Sequence, residues 1–116
     1  SVTSYAIPVK EKVLGVPAEI IERHGVVSSE VAAAMADGVR KLLGSDYAVS
    51  TTGLAGPGGG DGVNPDGTVW VGVSTASGVT KTKKFNYKND RKRNIERFAA
   101  SALYFLLTVV KADLSI

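Results

Sequence analysis

The 116-residue sequence predicts an α/β domain in which helices cover a mixed sheet in three layers, α/β/α. Three observations carry this reading. Apolar residues recur at helical spacing on both sides of a central block of β-branched runs. The last two of those runs are joined by Ala76-Ser77-Gly78, a tight-turn signal that makes them a hairpin. The length suits one domain, residues 1–116, with enough chain to bury a core.

Taken in order, Ser1 to Tyr5 reads as the tail of a strand. Pro8 to Gly15 fits a short helix, with proline near its first turn and glycine after its last, and Pro17 to Gly25 repeats that grammar. The clearest helix runs from Ser28 to Gly44: Ser28 or Ser29 can cap it, Glu30 suits its positive end, and Val31, Met35, Val39 and Leu42 share a face. Its alanines permit close packing on a sheet. Tyr47 to Thr52 and Thr68 to Thr75 read as buried strands, and Val79 to Lys88 as a third. From Asp90 the period changes, and Ile95, Phe98, Ala102, Phe105, Leu106, Val109 and Val110 mark one face of a long helix. Three strands make a narrow sheet for so much helix, so an upstream strand and helix are expected to be missing.

Composition excludes several classes. No run approaches the roughly 20 apolar residues of a membrane span. Residues 1–15 lack the layout of a signal peptide. There is no cysteine, hence neither disulfide nor thiolate chemistry, and a cytoplasmic location is the default expectation. The net charge is only +3, but Lys81, Lys83, Lys84, Lys88, Arg91, Lys92, Arg93 and Arg97 form one basic stretch. It is either a solvated strand face and helix start or an anion site. Phosphate on a small ligand suits it better than nucleic acid, because the rest of the chain carries many carboxylates and few stacking aromatics.

The stretch TTGLAGPGGGDGVNPDGTVW, Thr51 to Trp70, holds six glycines from Gly56 to Gly67. It lacks the Gly-Lys-Ser/Thr of a Walker loop, any Gly-x-Gly-x-x-Gly register, and the serine of a nucleophile elbow. Asp61, Asn64 and Asp66 offer oxygens, but Pro65 and the missing closing glutamate argue against a calcium loop. His24, the only histidine, fits a helix C-terminus favoured by the dipole. What remains is a glycine loop at the carboxyl end of a strand, where α/β sheets bind ligands and bare backbone N–H groups can approach an anion. An ordinary surface loop is the alternative.

Thr52-Gly-Leu-Ala-Gly-Pro with Gly67-Thr-Val-Trp resembles the signature of the CinA (competence/damage-inducible protein A) C-terminal domain family. The flanking SYAIPVKEKVLGV and NDRKRNIERFAASAL extend the resemblance over nearly the whole chain. It implies an amidohydrolase that converts nicotinamide mononucleotide to nicotinate mononucleotide and ammonia. The implied chemistry uses a serine nucleophile and a lysine, without metal or cofactor, in a dimer that engages no membrane. The family's Glu-Ser-Cys-Thr-Gly-Gly nucleophile motif is absent from these 116 residues, as expected if the upstream unit is missing. By resemblance, Lys10 is the catalytic lysine, and Tyr5, Thr52, Gly53, Gly56, Arg91 and Arg97 bind substrate. Asn89 stands where the family has the glycine of Gly-Asp-Arg. A lysine that acts as base must have its pKa lowered, and a helix start would contribute; a solvated helix lysine is the plainer reading of Lys10. Thr52 could equally cap the loop, and Arg91 could cover apolar surface with its stem. A non-catalytic nucleotide-binding or scaffolding module is the alternative function, and a nucleic-acid-associated protein is less favoured.

Overall fold

The computed structural model describes residues 14–54 and 65–114. The expected strand at 1–5, most of the helix at 8–15, and the candidate residues Tyr5, Lys10 and Gly56 lie outside them.

The first described helix, α1 (Ala18–His24), begins at Pro17 and ends at Gly25. Helix α2 (Ser29–Leu43) is capped by Ser28, whose Oγ accepts the Val31 N–H at 3.2 Å and donates to the Gly25 carbonyl at 2.9 Å. Ser29 instead reaches its neighbour Glu30. Gly44, in the left-handed region at φ 64°, closes the helix by donating to the Arg40 carbonyl. Val31 and Met35 are buried with Leu14, Val16 and Ile21, and Val39 packs against that cluster. Leu42, on the same stripe, is 52% exposed, so the predicted apolar face stops short of the last turn.

Strands β1 (Tyr47–Gly53), β2 (Thr68–Thr75) and β3 (Thr80–Asn86) form one sheet in that order. Both pairings are antiparallel. The layered α/β class stands, but any parallel pairing of a mixed sheet would need a strand beyond these three. The third strand ends before Tyr87, which leaves the ladder and donates its N–H to the Gly67 carbonyl at 2.9 Å.

The two sheet faces differ in kind. Toward α2 they present small and polar residues: Ser50 donates to the Ala32 carbonyl, Arg40 Nε donates to Ser74 at 2.9 Å, and Thr80 donates to Asp37 at 2.6 Å. A Cβ on Gly72 would lie 2.5 Å from the Ala32 carbonyl oxygen, so helix and sheet touch backbone to backbone here. The opposite face is apolar. Val69 and Val71 pack with Ala102 of helix α3 (Arg91–Leu114), flanked by Val49, Phe85, Phe98 and Phe105. The sheet is thus the middle of three layers.

The predicted inner face of α3 holds for Phe98, Ala102, Phe105 and Val109, but not for Ile95, which is 49% exposed. Asn94 takes the inward position instead, at 2% exposure, and clamps the preceding turn: its amide donates to the Asn89 carbonyl and accepts the Asn89 N–H. Ile95 then joins Leu103, Leu107 and Leu114 among the exposed apolar residues of α3. Among the described residues no helix is long and apolar enough to cross a membrane.

Candidate functional site

The strand directions gather several termini at one end of the sheet. β1 and β3 both run toward it, and α3 begins there after β3. Helix α2 runs antiparallel to β1, with Ala32 over Gly72 and Arg40 at Ser74, so it begins at the same end. Two helix N-termini therefore direct their positive ends to the region where β1 enters the glycine loop.

Thr52 lies in this region and is 7% exposed. Its hydroxyl donates to the Val26 carbonyl at 2.9 Å, tying the strand end to the connection between α1 and α2. Only its acceptor lone pairs are left for a ligand. Gly53 is held by packing: a Cβ would meet the Thr68 carbonyl oxygen at 2.8 Å and the Phe98 ring at 3.0 Å. The stem of the loop is closed by backbone bonds, Leu54 N–H to Thr68 O at 2.8 Å and Gly67 N–H to Leu54 O at 2.5 Å. Gly67 has φ 85°, and a Cβ there would collide with the Tyr87 carbonyl, so no other residue fits the stem. Residues 55–64, with Gly56, lie outside the described residues.

Arg91 and Arg97 are both exposed on α3. Six residues apart, they project about 120° from one another around the helix, so a single small anion does not draw both by helix geometry alone. Arg91 continues the line of Asn94 and Phe98 toward the sheet. Asp90 caps the helix by accepting the Arg93 N–H at 2.9 Å, and its carboxylate lies 3.9 Å from Arg93 Nε. The first turn holds no acidic residue. Among the described residues Arg91 and Lys92 have no ion-pair partner within 4.0 Å. Three cations at the positive end of a helix oppose its dipole.

Sequence reasoning missed Asp90, although aspartate just before an apolar-periodic run is a cap signal. It also missed Asn94 and Tyr87, whose hydroxyl bonds Ser101, because those contacts depend on tertiary placement. Within Gly67-Thr-Val-Trp nothing in the sequence marks Trp70 apart from the motif. It faces the α2 side, between Thr52 of β1 and Lys84 of β3, and Lys84 Nζ sits 6.0 Å over its ring.

Among the described residues no three histidine, aspartate or glutamate side chains cluster as metal ligands would. An open depression of about 530 Å³ lies on the far side of α2, lined by Leu14, Gly38, Asp37 and Lys41 among others. Asp37 there already accepts the Thr80 hydroxyl, and no helix start or strand end points into it, so we assign it no site.

The fold is a three-layer α/β domain that gathers two helix starts and two strand ends at one end of its sheet. Residues 1–110 match the family model described as CinA C-terminal domain. The chain belongs to that family. It is 48% identical over 103 residues to a CinA-like protein of Salinibacter ruber, covering 89% of this chain and 25% of that protein. It is 44% identical over 110 residues to a putative competence-damage inducible protein of Halothermothrix orenii, covering 95% and 27%. The chain thus spans about a quarter of the length of these curated relatives. The crystal structure of a competence-damaged protein (CinA) superfamily protein from Escherichia coli superposes with TM-score 0.85 at 31% identity, over 90% of this chain and 60% of that one. A competence/damage inducible protein, CihA, from Agrobacterium tumefaciens gives 0.82 at 31%, over 90% and 64%.

Proposed function

We propose that this domain is part of a nicotinamide mononucleotide amidohydrolase. The reaction breaks the carboxamide C–N bond, releases ammonia and, with water, leaves nicotinate mononucleotide. A serine supplied with the family's Glu-Ser-Cys-Thr-Gly-Gly motif attacks the amide carbon, and Lys10 takes its proton and returns one to the leaving ammonia. No metal or cofactor takes part. The observation that best supports a mononucleotide ligand is the first turn of α3, where Arg91 and Lys92 are exposed at a helix start without an ion-pair partner among the described residues, while Arg93 lies beside the capping Asp90 carboxylate. A phosphate bound there relieves both the mutual repulsion and the opposition to the dipole. Thr52, Gly53 and the start of the glycine loop border the same end of the sheet, and Tyr5, Gly56 and Arg97 complete the proposed substrate contacts.

Ammonia release tests the reading. The 116-residue chain is expected to be inactive, and a chain extended with the nucleophile motif active. In the extended protein Lys10→Ala is expected to lower turnover by roughly a hundredfold or more, the scale for losing a general base. Robust activity of the short chain would refute the serine–lysine assignment. Tight nucleotide binding by an inactive extended chain would favour a second reading, a non-catalytic nucleotide-binding or scaffolding module. A cytoplasmic homodimer belongs to the same proposal. The exposed apolar residues Ile95, Leu103 and Leu107 are its candidate contact, and a monomer by light scattering would overturn it.

A further inference from the structure

Every residue of β2 is buried except Trp70. A large aromatic left partly exposed in an otherwise buried central strand keeps some of its ring surface accessible among the described residues. Its row across the sheet is Thr52, Trp70 and Lys84, at the end where α2 and α3 begin. The Thr52 hydroxyl is spent on Val26, so the polar neighbour on that side does not compete for the ring. On the other side the Lys84 ammonium stands 6.0 Å over the indole. A face that holds an ammonium is one whose quadrupole favours a cation.

Phe85 makes the useful contrast. It too has a lysine, Lys83, over its ring at 5.3 Å, but it stacks on Tyr87 at 6.4 Å and packs against the α3 core. Trp70 has no aromatic partner among the described residues. Among the described residues its ring therefore carries the Lys84 ammonium and no stacked ring.

We propose that the indole face of Trp70 is a subsite for a flat cationic ring, the pyridinium of a nicotinamide nucleotide, and that Lys84 occupies this face until the ring displaces it. This rests on the mononucleotide reading above and adds the group that selects the base. Cation exchange on one indole face keeps the electrostatic attraction and adds stacking area, which an ammonium cannot provide. The subsite discriminates an oxidised, charged pyridinium from a reduced, neutral dihydropyridine on an otherwise identical nucleotide.

Trp70 is the only tryptophan of the chain, so its fluorescence reports the subsite directly. The full chain would be titrated with nicotinamide mononucleotide, its reduced form and ribose 5-phosphate, with fluorescence read for the oxidised nucleotide and ribose 5-phosphate, and calorimetry for all three. The oxidised nucleotide is expected to quench the indole and to bind about fivefold to thirtyfold tighter than the reduced form, the range of a partly desolvated cation–π contact. Ribose 5-phosphate binds without quenching. Trp70→Leu removes the preference and leaves ribose 5-phosphate affinity unchanged, whereas Trp70→Phe retains most of it, which separates loss of the ring from loss of the fold. Lys84→Ala leaves oxidised-nucleotide affinity equal or higher. Equal affinity for oxidised and reduced nucleotides, or no loss in Trp70→Leu, would overturn the subsite while leaving the mononucleotide reading intact. Equal weakening of nucleotide and ribose 5-phosphate by Lys84→Ala would overturn the placement of Lys84 on the ring. If none of the three ligands binds, the mononucleotide reading falls and the subsite with it.

Discussion

Gly72→Ala tests whether the distance between α2 and the sheet is set by the absence of one side chain. The added Cβ would stand 2.5 Å from the Ala32 carbonyl oxygen, 2.7 Å from its carbon and 2.9 Å from Ser50 Oγ. Ordinary contact begins at 3.4 Å, so helix and strand must part by about 0.9 Å, and two of the three obstacles are backbone. Overpacking of this kind costs about 1–3 kcal/mol. The same shift stretches the Ser50 hydroxyl bond to Ala32, worth about 1 kcal/mol. Against this, alanine restricts the unfolded chain and returns about 0.4–1 kcal/mol. The net expectation is a loss of about 1.5–3 kcal/mol, or about 6–12 °C in melting temperature at this chain length. Urea unfolding and thermal melts by circular dichroism would measure it, with Ser50→Ala as the companion variant. Ser50→Ala alone should cost less, because the Ala32 carbonyl remains within the helix ladder. A Gly72→Ala melting temperature within about 2 °C of the parent would refute the argument that this contact fixes the layer spacing.

Arg91→Ala is expected to weaken nicotinamide mononucleotide by tenfold or more, on the order of a charge-assisted hydrogen bond, while barely changing affinity for the phosphate-free riboside. Calorimetry with both ligands decides it, and equal weakening would mean that Arg91 does not read the phosphate. Tyr47 donates to Asp113 at 2.6 Å, and that bond to a carboxylate is the main reason its phenol pKa is raised above 10.0. A raised folded value means that the bond's contribution is fully present below pH about 10 and is lost as pH climbs through the folded value. Compared with Tyr47→Phe in urea melts from pH 8 to 11, the parent's advantage should be constant at the lower end and shrink at the upper; an advantage that grows with pH would refute the sign.

Much of the fold was legible because its signals are local. Ser28, Gly44 and the spacing of Val31 and Met35 delimit α2 without help from the sheet, and the β-branched run of β2 begins and ends where the sequence places it. Ile95 was misread because periodicity cannot distinguish a helix rotated by one position, and the buried amide of Asn94, anchored to Asn89, decides the rotation. The small residues facing α2 gave no apolar alternation to read, since their role is close approach rather than area. At the site, Thr52 and Gly53 were located by motif, but their local constraints, a hydroxyl bonded to Val26 and a Cβ-free contact with Phe98, come from elements distant in sequence. Trp70 was hidden for a related reason: a tryptophan in an apolar run looks like core until the strand pairing places it, partly exposed, between Thr52 and Lys84.

The closed stem at Leu54 and Gly67 has an evolutionary consequence. Because β1 and β2 are already paired up to Gly53 and Val69, and the stem bonds sit just beyond, the strands do not depend on the intervening residues for their register. Doubling the length of a connection between two fixed ends adds only about 0.6 kcal/mol of closure entropy. The segment between Leu54 and Gly67 is therefore a graft position, where insertions and exchanges can be sampled at small cost to the scaffold. A lineage could retune what this end of the sheet recognises by rewriting that one segment, while the stem glycine and the layers behind it stay fixed.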